Sequence, residues 1–181
     1  MGDSVGKWGR ISIFDKIFKT GDMTTFIGEH PCNVDVKGRI LLPSALKKQM
    51  SSEAKEGFVV RKDIFEKCLV LYPMDEWEIQ VKRIRSRLNP YNREHNKLLR
   101  EFYKNTAELA LDSANRILIP KYLMELIGAS KEVMLHGTDN KIEIWSKEAY
   151  QMGITDEEDF AKRAEQFLGD KFENLSELLN D

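Results

Sequence analysis

Two short polar segments each set an aspartate four residues before an arginine, with a turn-forming residue directly ahead of the arginine. They are Asp35-Val36-Lys37-Gly38-Arg39 and Asp112-Ser113-Ala114-Asn115-Arg116. A carboxylate at the start of a tight turn accepts hydrogen bonds from the turn amides and lies within reach of a guanidinium at its end. The turn needs a residue that tolerates positive φ. Gly38 does so without steric cost, and Asn115 carries the side chain that tolerates it best. A guanidinium held at the start of a strand suits bidentate recognition of phosphate or guanine, because little rotamer freedom remains to be lost on binding. A single such pair would be an ordinary weak surface ion pair. Its duplication points to more.

The repeat extends beyond the charged pair. Residues 34–46 and 111–123 align at a constant offset of 77 with six identities, Asp, Arg, Ile, Leu, Pro and Leu, over 13 positions; composition alone gives about one. Phe58–Arg61 then answers Val133–His136, and Leu69–Tyr72 answers Ile142–Trp145, with the offset shrinking to 75 and 73 in the connections. Each unit reads as a polar turn, a short apolar strand ending at Pro43 or Pro120, a helical piece and two further strands. A unit of about 40 residues is too small to bury a core alone, so two packed face to face are expected to form one domain.

Around the repeats the pattern is helical. Pro73 opens a helix in which Trp77, Val81, Ile84 and Leu88 recur on one face, and Asn89-Pro90 interrupts it. A second helix is expected from Arg93, with Leu98, Leu99, Phe102 and Leu109 on one side. The basic run Lys82-Arg83-Ile84-Arg85-Ser86-Arg87 could face nucleic acid but reads rather as a solvated or inter-subunit face. Near the end, Asp156-Glu157-Glu158 suits a helix N-terminus, followed by an apolar stripe of Phe160, Ala164, Phe167, Leu168, Phe172, Leu175 and Leu179. Residues 156–181 carry 9 Asp and Glu against 3 Lys and Arg. Such a helix packs on its own core or on a neighbouring subunit, and its acidic face argues against a membrane surface. Residues 1–22, with Gly2, Gly6, Gly9 and Gly21, break any period and read as a poorly ordered extension upstream of Met23.

Composition narrows the function classes. No apolar run in the 181 residues approaches the ~20 needed to span a bilayer, and residues 1–22 contain no secretory apolar segment. Cys32 and Cys68 are expected to be reduced thiols in a cytoplasmic protein. The net charge of −2 is uneven: residues 1–104 hold 20 basic against 14 acidic side chains, and residues 105–181 hold 8 against 16. The basic half keeps nucleic acid open as a partner, because local field decides phosphate binding. His30, His95, His136 and the cysteines match no metal-ligand spacing, and no nucleophile sits beside a base, so no metal, cofactor or catalytic residue is expected. A paired-carboxylate hydrolase built on Asp35 and Asp112 is a rival reading. Each aspartate has its own arginine, however, which favours the ionised form over a shared proton.

The two segments Asp35-x-x-Gly38-Arg39-Ile40-Leu41-Leu42-Pro43 and Asp112-x-x-x-Arg116-Ile117-Leu118-Ile119-Pro120 resemble the paired signature of the MraZ family, as do Met23–Glu29 and Ile142–Trp145. The resemblance covers roughly residues 23–150. It implies an α+β chain with two AbrB-like swapped-hairpin β-barrel modules packed as an intrachain pseudo-dimer. These are residues 23–77 and 107–150, joined by a helical connection, 78–106, and followed by an acidic amphipathic helix, 151–181. It also implies ring-shaped homo-oligomers, octamers or dodecamers. These bind repeated boxes in double-stranded promoter DNA upstream of the cell-division and cell-wall gene cluster, usually as repressors, in the cytoplasm at the nucleoid. Carried over by position, Arg39 and Arg116 contact DNA and Asp35 and Asp112 orient them; Asn115 departs from the glycine frequent there. The residues add Lys37 and Lys121 as further DNA contacts. They suggest that the first copy, with Lys37, Lys47 and Lys48 nearby, binds more strongly than the second, which has Lys121. An oligomeric scaffold that binds no DNA is the other reading, with the acidic terminal helix as its main feature.

Overall fold

The computed structural model describes residues 24–50, 57–153 and 157–178. The expected extension 1–22 with Met23, the loop residues Ser51–Lys55, and Thr155, Asp156 and Leu179 of the terminal helix lie outside the described residues. The chain divides into two compact units, one ending at Ser146 and one beginning at Lys147.

The first unit contains β1 (Phe26–Asn33), β2 (Arg39–Leu41), α1 (Ser44–Lys48), β3 (Gly57–Lys62), β4 (Leu69–Pro73), α2 (Met74–Arg85), α3 (Arg93–Tyr103), β5 (Thr106–Ala110), β6 (Arg116–Leu118), α4 (Lys121–Leu126), β7 (Glu132–Asp139) and β8 (Lys141–Ser146). Strands β1 to β4 and β5 to β8 are repeat counterparts. The two copies interleave. In the six-stranded sheet, ordered β1-β7-β8-β4-β3-β5, the first strand of each copy pairs with the third strand of the other. β4 and β8 meet in the middle, Leu69 opposite Ile144 and Leu71 opposite Ile142. The remaining strands, β2 and β6, form a separate antiparallel ribbon, with Ile40 opposite Ile117. The set of pairings maps onto itself when the copies are exchanged, β1–β7 onto β5–β3 and β7–β8 onto β3–β4, so the unit has an approximate internal twofold axis.

The core follows from that exchange. Ile40 and Ile117, Leu42 and Ile119, Leu46 and Leu123, Val60 and Leu135, Leu69 and Ile142, and Leu71 and Ile144 are all buried in one cluster. Neither copy has enough apolar area alone; shared, each such side chain contributes roughly 1.5–3 kcal/mol. Pro43 and Pro120 stand at the N-caps of α1 and α4, where a missing N–H costs nothing.

The copies differ on the outside. β7 alternates buried and half-exposed residues, as a sheet with one solvated face does. β3 is buried along Phe58, Val59, Val60 and Arg61, because α2 and α3 cover its second face. There Trp77 stacks on Phe102 with ring centroids 5.4 Å apart, Val59 packs against them, and the Arg61 guanidinium lies 4.2 Å from the Phe102 centroid. The Asn92 side chain caps α3 by accepting from the amides of Glu94 and His95. At the far end Asn105, at φ 56°, turns the chain out of the helix. Leu109, expected on the face of this helix, instead lies in β5 opposite Phe58. The expected strand inventory also lacked β1 and β5.

The second unit consists of α5 (Lys147–Gly153) and α6 (Glu157–Leu178). Glu157, Glu158 and Asp159 occupy the first turn of α6, and Phe160, Phe167 and Leu168 are exposed.

β1 packs tightly against Gly137 of β7, where an added Cβ would lie 2.7 Å from the Ile27 nitrogen and 2.8 Å from the Phe26 carbonyl carbon. Those are backbone atoms and cannot swing aside. Gly137→Ala is expected to destabilise the fold by about 1–3 kcal/mol or more, read as a lower urea midpoint at unchanged slope.

Candidate nucleic-acid interface

Each aspartate–arginine segment forms a tight hairpin loop. In the first, the Asp35 amide donates to the Arg39 carbonyl at 2.9 Å and the Gly38 amide donates to the Asp35 carbonyl at 2.9 Å. Gly38 takes the positive φ, 82°. Asp35 Oδ1 accepts from the amides of Lys37 at 2.8 Å and Arg39 at 3.0 Å, and Oδ2 accepts from Arg39 Nε at 2.7 Å. A second guanidinium nitrogen of Arg39 lies 2.6 Å from Oδ2. The second loop repeats the arrangement. The Asp112 amide donates to the Arg116 carbonyl and the Asn115 amide to the Asp112 carbonyl, both at 2.9 Å. Asp112 Oδ1 accepts from the amides of Ala114 and Arg116 at 2.9 Å each, Oδ2 accepts from Arg116 Nε at 2.8 Å, and Asn115 sits at φ 58°. Asparagine therefore supports the same left-handed turn as glycine here.

The ribbon of β2 and β6 brings the loops together. Each loop hydrogen-bonds the strand of the other copy: Leu42 N donates to the Asn115 carbonyl at 2.9 Å, and Ile119 N to the Gly38 carbonyl at 3.2 Å. One Arg39 guanidinium nitrogen lies 3.8 Å from Asp112 Oδ2. Asp35, Arg39, Asp112 and Arg116 thus form one cluster. Their side chains are a quarter to a third exposed, Arg39 at 25% and Arg116 at 35%, so the forks are supported from below and open above.

The carboxylates are held ionised. The guanidinium and amide of Arg39 bring Asp35 down to about 2. The Arg116 amide, then its guanidinium, lowers Asp112. This is the opposite of a carboxylate pair sharing a proton. The thiols are no more reactive: burial raises Cys32 and pushes Cys68 up to about 12.

The lysines are arranged differently from the sequence order. Lys37 is exposed on the first loop. Lys47, expected beside that loop, donates from Nζ to Asn115 Oδ1 at 2.5 Å and so flanks the second. Lys121 follows β6 but borders a cleft shared with residues 34–38 of the first loop, and pairs with Glu125 at 3.6 Å. The reason is the antiparallel ribbon, which carries each chain past its partner's loop before the next helix starts. The lysines on which the suggested advantage of the first copy rests are therefore regrouped: Lys37 and Lys121 border the first loop and Lys47 the second. Arg39 is shared by two carboxylates, whereas Arg116 pairs with one and is more exposed. Lys47 is the site residue that linear proximity assigned to the wrong loop; only the pairing of β2 with β6 reveals its place. The basic run 82–87 lies elsewhere: Ile84 packs on the Trp77 cluster and Arg85 reaches the Tyr103 hydroxyl at 3.5 Å. Val59 and Val60 point to opposite faces of β3, so this cluster is separated from the core beneath the ribbon.

A family model described as "MraZ protein, putative antitoxin-like" matches twice, over residues 25–101 and 102–171. The chain belongs to the MraZ family. The two matches restate the internal repeat. Among relatives, the transcriptional regulator MraZ of Christiangramia forsetii is 40% identical over 156 residues, covering 85% of this chain and 100% of the relative. Those of Flavobacterium psychrophilum and Bacteroides thetaiotaomicron are 38% and 35% identical, covering 81% and 82% of this chain and 94% and 96% of the relatives.

The pH response follows from the depressed carboxylates. Their contribution to stability is present above the ordinary aspartate value of about 3.9 and is lost as pH falls through about 2 for Asp35. A carboxyl-carbon NMR titration is expected to place the Asp35 midpoint near 2, and Arg39→Ala to return it toward about 3.9.

Proposed function

We propose that the chain is a sequence-specific, double-stranded-DNA-binding transcriptional regulator in which Arg39 and Arg116 contact the duplex and Asp35 and Asp112 hold them in place. One observation carries this reading: two braced guanidinium forks at twofold-related positions of one exposed two-stranded ribbon. The B-DNA major groove admits a two-stranded β-ribbon. A braced arginine retains its charge while having already lost most of its rotamer freedom. Lys37, Lys47 and Lys121 border the two loops and would add backbone contacts that position rather than specify. The relatives are named transcriptional regulators, which agrees with this role.

The interleaved strands support a swapped-hairpin barrel of two modules, residues 23–77 and 107–150, packed as an intrachain pseudo-dimer and linked through 78–106. One such ribbon makes few contacts. A ring-shaped homo-oligomer, octamer or dodecamer, would present several ribbons to successive DNA boxes and raise their effective concentration. The target assigned by this reading is the promoter region of the cell-division and cell-wall gene cluster, with repression as the outcome, in the cytoplasm at the nucleoid.

Fluorescence anisotropy with a duplex from upstream of the chain's own gene tests the proposal. Arg39→Ala and Arg116→Ala are each expected to raise Kd about 5- to 150-fold, equivalent to about 1–3 kcal/mol, with Arg116→Ala at least as damaging. Affinity should fall with salt at a log–log slope of about −0.9 per phosphate contact. An oligomeric scaffold without DNA function predicts no dependence on either arginine.

A further inference from the structure

Six positions are identical in the two copies of the ribbon motif, and the structure accounts for five of them. The aspartates and arginines form the braced forks. Ile40 and Ile117, and Leu46 and Leu123, are fully buried core. Pro43 and Pro120 stand at the start of α1 and α4. The sixth identity, Leu41 and Leu118, is neither buried nor capping: these side chains are 57% and 54% exposed. A leucine needs no explanation for being exposed singly. Two at equivalent positions, on the face that carries the forks, do.

Their placement is set by the ribbon register. Leu41 lies opposite Arg116 and Leu118 opposite Arg39. The intervening Ile40 and Ile117 point into the core, so all four flanking side chains point the other way. The outer surface of the ribbon is therefore a diagonal block, two guanidiniums and two isobutyl groups, related by the internal twofold axis. Flanking cations favour an anionic partner, yet the leucines between them offer nothing to phosphate. The one apolar group that the major groove presents beside its hydrogen-bonding edges is the thymine 5-methyl.

We propose that Leu41 and Leu118 are specificity-determining residues that contact thymine methyl groups flanking the bases or phosphates engaged by Arg39 and Arg116. This rests on the DNA-binding reading above and adds to it a base preference the arginines do not supply.

The test uses the full chain and the promoter duplex from upstream of its own gene, made with thymine throughout or with deoxyuridine in its place. Removing one buried methyl contact corresponds to about a fourfold loss of affinity, so wild type should bind the uracil duplex about fourfold to tenfold more weakly. The double variant Leu41→Ala/Leu118→Ala should bind both duplexes equally. Because both leucines are exposed, its melting temperature should match wild type. The wild-type comparison needs no variant at all. Equal wild-type affinity for the two duplexes overturns the inference. So does full discrimination retained by the double variant, or a variant whose subunit count by light scattering falls while its discrimination stays, which would make the pair a contact between copies. Failure of wild type to bind the thymine duplex overturns the DNA-binding reading itself; binding without discrimination overturns this inference alone.

Discussion

The antiparallel pairing of β2 with β6 is the constraint on which the rest depends. It spans three residues on each strand, centred on Ile40 opposite Ile117. Burying that pair joins the halves of the core, since each isoleucine is provided by a different copy. The same pairing fixes which side chains face outward, because strand residues alternate. It also draws each loop against the strand that follows the other loop, through the Leu42–Asn115 and Ile119–Gly38 hydrogen bonds. Fold and candidate site are therefore not separable here: the contact that closes the core is the contact that sets the two arginines at diagonal corners of one ribbon.

The aspartate–arginine pairs have a different role. Partly exposed ion pairs of this kind add little to stability, and nothing in the fold requires them for closure. What they contribute is geometry. Asp35 ties together two backbone amides and the Arg39 guanidinium, and so links the direction of the Arg39 side chain to the shape of the loop. An unbraced arginine would forfeit up to about 2 kcal/mol of rotamer entropy on binding. Repeating the brace at Asp112, with an asparagine in place of the glycine, shows that the loop tolerates sequence change wherever positive φ is kept.

Much of this was legible from residue order. The repeat, the braced arginines, the helix starts at Pro43, Pro73 and Pro120, and the buried hairpin strands all follow from local spacing. Three features did not, each for a physical reason. β1 and β5 are sheet-edge strands: β1 contains Gly28 and Pro31, and β5 is Thr-Ala-Glu-Leu-Ala, so neither carries a strong apolar alternation. The helix α3 ends where Asn105 adopts a left-handed turn, which moved Leu109 from a helical face to a strand. The placement of Lys47 is a tertiary effect, decided by which loop the ribbon delivers it to. Local pattern identifies what each copy contains; it does not say that the copies exchange strands.

The divergence between the copies separates the positive charge of the chain into two places. The first copy carries the α2–α3 segment, which seals the second face of β3 with Trp77, Phe102 and the stacked Arg61. Most of the excess positive charge of the first 104 residues lies in that segment: residues 78–104 hold 8 basic and 3 acidic side chains. Yet it packs on the face of β3 away from the core under the ribbon. The charge that a duplex on the ribbon would meet is local, two forks with Lys37 and Lys47. A net charge of −2 over the whole chain then says little about the field at that surface. The charge of α2 and α3 must be accounted for by some other surface than the one built from β2 and β6.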